Sequence, residues 1–68
     1  MEQFGHNLRK ERQRLGMSQA QLARIAGLHW TSVQKIEYGR RSVRLHTLLM
    51  LAYALDVDPC GLLEGLRP

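Results

Sequence analysis

The sequence predicts an all-α fold, a compact bundle of five short helices, on three observations. Apolar residues recur at the three-to-four spacing of helices, and strand-like alternation is absent. Glycine and proline cut the chain into short pieces, most carrying a helix-start or helix-stop signal. With 68 residues there is room for one small core and no second one, so residues 1–68 are expected to form a single domain.

The first piece, residues 2 to 15, sets Phe4, Leu8 and Leu15 on one face and stops at Gly16, a residue suited to a left-handed helix end. Arg12 falls inside that apolar stripe. A guanidinium drawn away from water needs an anionic partner, because an unpaired charge there is expensive.

The second piece opens with Ser18-Gln19-Ala20-Gln21, a capping box in which the serine caps the helix and Gln21 reaches back. Leu22, Ala23, Ile25 and Ala26 give its apolar face, and Gly27 stops it. About two turns of helix cannot stand alone in water, so this piece must pack on neighbours.

The third piece covers about residues 30 to 38. At ~100° per residue, Val33 and Ile36 set the buried direction, and Thr31, Gln34, Lys35 and Tyr38 point away from it. Trp30, the only tryptophan, falls on one border of the stripe and Glu37 on the other. Glu37 is the natural partner for Arg12.

Residues 45 to 55, LHTLLMLAYAL, form the fourth helix, with Leu45, Leu48, Leu49, Leu51, Ala52 and Leu55 as the expected core face. Its far side, Met50, Tyr53 and Ala54, is apolar as well, so the helix is expected to meet a second partner. Asp58-Pro59 is an N-cap followed by a proline in the first helical position, opening a short last helix with Leu62, Leu63 and Leu66. Gly61 and Gly65 weaken that helix, and Cys60 is expected to be a small buried or half-buried residue.

The charge is unevenly distributed. Net charge is +4, and every Lys or Arg except Arg67 lies within residues 1–44, as expected when a polyanion docks on one face. No apolar run approaches the ~20 residues that span a bilayer. The N-terminus lacks a secretory signal and the single cysteine cannot form an internal disulfide, so a cytoplasmic protein is expected, with no membrane partner. His6, His29 and His46 show no metal-ligand spacing, and no phosphate-cradling loop, paired carboxylates or nucleophile with its base is present. No metal, cofactor, small-molecule ligand or enzymatic activity is expected.

From Gln19 to Tyr38 the chain reads as helix, glycine turn, helix, and SQAQLARIAGLHWTSVQKIEYGRR closely resembles the helix-turn-helix of the phage lambda repressor and Cro class, the XRE family. LRKERQRLGM before it and LHTLLMLAYALDVDP after it extend the likeness over residues 4 to 64. The resemblance implies a five-helix DNA-binding domain whose third helix enters the major groove of double-stranded DNA, usually as a homodimer on a near-palindromic operator. It marks Gln19 as a phosphate contact and matches Arg12 and Glu37 to a structural ion pair.

The residue chemistry agrees with that implication. Thr31, Gln34 and Lys35 carry groups that bond base edges, and Ser32 on the flank reaches base or phosphate. Tyr38, Arg40, Arg41 and Arg44 are expected to fix register on the phosphates. Two roles stay open for Trp30: its ring buttresses the third helix beside the turn, or it touches a thymine methyl or sugar edge. His29 stands where a Ser or Thr cap is usual and reads as a turn residue; Arg44 takes a similar place before the fourth helix.

Met50, Tyr53, Leu63 and Leu66 are left over once the core is filled and are the expected homodimer interface. Within transcription regulators the short chain resembles Cro-type repressors and the controller proteins of restriction-modification systems. The rival reading is a protein-interaction module, such as an antitoxin or bridging-coactivator domain, whose main ligand is a partner protein.

Overall fold

The computed structural model describes residues 2–66, so Met1, Arg67 and Pro68 of the expected domain lie outside the described residues. Among the described residues five helices follow one another, α1 (Glu2–Arg14), α2 (Gln19–Ala26), α3 (Trp30–Glu37), α4 (Leu45–Leu55) and α5 (Pro59–Leu62), with no strand. The all-α, five-helix architecture expected from the sequence is the one observed. Phe4 and Leu8 from α1, Leu22 from α2, Val33 and Ile36 from α3, Leu51 and Leu55 from α4 and Leu62 from α5 are all buried. Every helix therefore feeds one core, which is how elements of one to four turns persist without intrinsic stability.

Local chemistry fixes the ends. The Ser18 Oγ accepts from the Gln21 backbone N–H at 3.0 Å, and Gln21 Oε1 accepts from the Ser18 N–H at 2.8 Å, closing the capping box. Gly27 ends α2 at φ +75°, a left-handed conformation that a side chain would strain. Asp58 caps α5 by accepting from the Cys60 N–H at 2.9 Å, with Pro59 in the first turn.

α1 crosses close to the end of α3. A Cβ on Gly5 would sit 2.5 Å from the Ile36 carbonyl oxygen and 2.6 Å from that of Glu37, so glycine permits the crossing. Asn7, which no local sequence pattern marks, is the second clamp on α1. Its Nδ2 donates to the carbonyls of Leu62 at 3.0 Å and Glu64 at 2.7 Å, and its Oδ1 accepts from Gln3 at 2.9 Å. This buried amide ties the last turn of α5 and the residues just after it to the first helix, and its pairing answers the cost of burying it.

Several expected core residues face solvent. Leu15 is exposed because α1 ends at Arg14 and leaves it in the turn. Ile25 is exposed because Leu22, Ala23 and Ala26 set the buried stripe of α2, and it projects about 100° from their mean direction. Leu45 and Leu49 were expected in the core of α4. They are 71% and 48% exposed, aligned at intervals of four with the 86% exposed Tyr53, while Leu48, Leu51, Ala52 and Leu55 are the buried residues of the helix and Ala54 packs against the core from its border. Cys60 is exposed, because a one-turn α5 directs one side chain inward and that place is taken by Leu62.

Candidate nucleic-acid interface

α3 divides its residues between two duties. Val33, Ile36 and Glu37 are buried, while Trp30, Thr31, Lys35 and Tyr38 are exposed and Ser32 and Gln34 are half-buried at the edges. An eight-residue helix bearing this much exposed polar surface needs a firm anchor on its other side. Glu37 provides it.

The Glu37 carboxylate is fully buried and receives donors from two helices. Arg12 reaches it as a fork, Nε to Oε2 at 2.6 Å and Nη2 to Oε1 at 3.0 Å, and spends Nη1 on the Met17 carbonyl at 2.7 Å. Arg9, missed in the sequence reading, donates more loosely, to Oε1 and to the Glu37 carbonyl, both at 3.4 Å. Its guanidinium also lies 5.7 Å from the centre of the Tyr38 ring, within cation-π range. The signal in the sequence was the spacing from Arg9 to Arg12, which puts two guanidinium groups on neighbouring turns facing one carboxylate.

Gln19 joins this network from the first position of α2. Its Nε2 donates to Glu37 Oε1 at 3.0 Å, and its Oε1 accepts from the indole Nε1–H of Trp30 at 3.3 Å. A chain of hydrogen bonds thus runs from a buried ion pair, through the start of α2, to the first residue of α3 at the surface. Among the described residues no buried side-chain nitrogen or oxygen lacks a partner, so the network stabilises the helix pair without leaving a charge stranded.

After α3 the chain turns through Gly39 into a segment that brings Arg40, Arg41 and Arg44 to the surface. Arg41 donates to the Ser32 Oγ at 2.9 Å, beside a cleft of about 430 Å3 between α3 and the start of α4. From Gln19 to His46 the sole carboxylate is Glu37, which is buried and paired, so the exposed charge contributed by this stretch is positive, with Glu2 of α1 the acidic neighbour beside Gly39. Exposed donors along one helix, flanked by arginines, form a surface complementary to a nucleic-acid groove and its phosphates.

The residues expected to dimerise are spread over a second region. Tyr53 and Leu63 are exposed, Leu66 is half-buried and packs on the core, and Met50 is half-buried with its Cε toward Gly27. Among the described residues no cluster of His, Cys, Asp or Glu is placed to hold a metal, and no helix is long and apolar enough to cross a membrane.

Known proteins share both sequence and shape with this chain. The sequence pattern of the helix-turn-helix family matches residues 8–62. The control protein C.SmaI of Serratia marcescens is 41% identical over 66 residues, spanning 94% of this chain and 79% of that protein. The crystal structure of the restriction-modification controller protein C.AhdI from Aeromonas hydrophila superposes with a TM-score of 0.88 at 43% identity, covering 90% of this chain and 92% of that one. The clp gene regulator ClgR from C. glutamicum superposes at 0.86 with 26% identity, over 91% and 80% of the two chains.

Proposed function

The chain belongs to the helix-turn-helix family, in its XRE-type branch, and from that premise we propose that it is a sequence-specific transcriptional regulator binding double-stranded DNA as a homodimer. The observation that carries this reading is the outward face of α3, Trp30, Thr31 and Lys35 exposed with Gln34 half-buried at its edge, held rigid from behind by the buried Glu37 network. Base edges in the major groove are read from such a face, Lys35 favouring guanine acceptors and Thr31 a thymine methyl. Tyr38, Arg40, Arg44 and the free amide hydrogen of Gln19 fix register on phosphates. The names of the relatives, a control protein and a restriction-modification controller protein, support a place in setting the expression of a restriction-modification gene pair.

Dimerisation through Tyr53 and Leu63, with Leu49 alongside, sets two α3 helices in successive major grooves about 34 Å apart, which demands a near-palindromic site. An electrophoretic shift with duplex DNA from upstream of the chain's own gene tests the proposal. Retardation that survives excess scrambled duplex is expected. Retardation abolished by scrambled duplex would remove sequence specificity, and no retardation at all would favour a partner protein as the main ligand.

A further inference from the structure

Of Arg40, Arg41 and Arg44, between α3 and α4, Arg41 is the one that turns back onto α3. Its Nη1 donates to Ser32 Oγ at 2.9 Å, and the two side chains stand together at the mouth of the cleft floored by Leu28, Ile36 and Val43. The bond fixes the polarity of both partners. A guanidinium is a donor with no acceptor, so the serine oxygen accepts and its O–H is left as the group directed elsewhere. A further donor approaching that oxygen would also meet the arginine's positive charge. Arg41 meanwhile commits part of its planar fork to Ser32, which holds its remaining N–H groups at a set position relative to the hydroxyl. With one lone pair of the serine oxygen taken and the other beside a positive charge, the pair presents its donors ahead of any acceptor.

The major groove distinguishes bases by the order of donors and acceptors. Guanine presents two acceptors, N7 and O6; adenine presents one acceptor and one amino donor; cytosine presents an amino donor; thymine presents one acceptor, O4, beside its methyl group. Only the guanine edge suits two adjacent donors. Resting on the reading of this chain as a DNA-binding regulator, we propose that Arg41 and Ser32 form one specificity-determining unit that recognises a guanine N7/O6 edge. This reassigns Arg41 from phosphate to base. A phosphate contact requires charge near the backbone and no tether, whereas Arg41 is aimed by a residue of the groove-facing helix.

The test uses the full chain and a duplex selected by the wild-type protein from a random-sequence pool, with each base pair then replaced in turn. Dissociation constants are measured for wild type, Ser32→Ala, Arg41→Lys and the double variant, with thermal unfolding of each as a check on folding. Both single variants are expected to lose about tenfold discrimination at the same G·C pair. The double variant should lose no more than either single one, the mark of a coupled pair. The salt dependence of Arg41→Lys should match wild type, because its charge is kept. Loss of affinity by the same factor on every duplex, additive losses, or losses at different base pairs would overturn the proposal while leaving DNA binding intact. Failure of wild type to enrich any sequence would overturn it together with the reading on which it rests.

Discussion

Trp30 at the start of α3 donates its indole N–H to Oε1 of Gln19 at the start of α2, 3.3 Å away, although about half of its surface is open to solvent. Both roles left open by the sequence are thereby compatible: one edge of the ring is braced by α2 and the other is free. Gln19 is in turn held by Glu37, so the orientation of an exposed aromatic is set by a buried carboxylate. Trp30→Ala removes a ring that is absent from the core and should cost about 1 kcal/mol of stability or less, as substitutions outside the core do. Operator affinity should fall about tenfold, the scale of one lost base contact. Thermal unfolding and a DNA titration of the same preparation check the pair; collapse of the fold would assign the ring to packing instead.

Glu37→Ala leaves Arg12, whose side chain is 12% exposed, facing an emptied site. Removing one partner of a buried pair costs about 3–5 kcal/mol, a large share of what a domain of this size possesses. Urea unfolding should show the variant mostly unfolded at 25 °C. Arg9→Ala should cost far less, because its 3.4 Å contact is longer and its side chain is 39% exposed. Equal effects from the two variants would contradict the hierarchy read from their geometry.

Gly5→Ala sets two physical effects against each other. Alanine is the better helix former by about 1 kcal/mol, yet its Cβ would enter the space of two backbone carbonyls that cannot rotate aside. Overpacking against fixed backbone costs about 1–3 kcal/mol, so the variant should be less stable despite its improved propensity. A raised melting temperature would mean that α1 and α3 can separate without loss.

How far the sequence revealed these features depended on how local their causes were. Ser18-Gln21, Gly27 and Asp58-Pro59 act within a few residues, and the helix ends they imply are those observed. The Arg12–Glu37 contact was legible because a charge inside an apolar stripe demands a partner and one candidate carboxylate bordered the α3 stripe. Asn7 and Gly5 answer to chain 30 or more residues away, and nothing within α1 announces which backbone will approach them. On α4 the leucines at 45 and 49 match the composition of a core face; only the packing of α2 and α5 against the helix decides that Leu48, Leu51, Ala52 and Leu55 are the ones covered. The network through Gln19 was hidden for the same reason, since a glutamine at a helix start reads equally as a cap, a phosphate ligand or a bridge.

Leu45, Leu49 and Tyr53 line one side of α4, with Tyr53 almost wholly exposed, so a charge at position 53 can oppose association without disturbing the monomer. Tyr53→Glu should leave the unfolding midpoint of the isolated subunit unchanged and shift sedimentation from dimer toward monomer. Operator affinity should then fall and its concentration dependence steepen, because two half-sites must be filled separately. A variant that stays dimeric would move the interface away from this stripe.

Phosphate contacts leave a quantitative trace in salt. Each phosphate neutralised by a lysine or arginine releases condensed counterions, so the logarithm of the binding constant falls against the logarithm of salt with a slope near 0.9 per contact. Arg40→Gln and Arg44→Gln should each reduce that slope by about one and weaken selected and unrelated duplexes by similar factors, since backbone contacts carry no sequence information. Lys35→Gln should behave differently: its side chain leaves the exposed face of α3, so its loss should act unequally on different sequences. Binding constants measured from 50 to 300 mM salt, on the selected duplex and on a scrambled one, separate the two kinds of contact (roughly the range over which such slopes are resolved). If Arg40→Gln altered base preference while leaving the slope intact, the division between phosphate-holding arginines and the base-reading face of α3 would have to be redrawn.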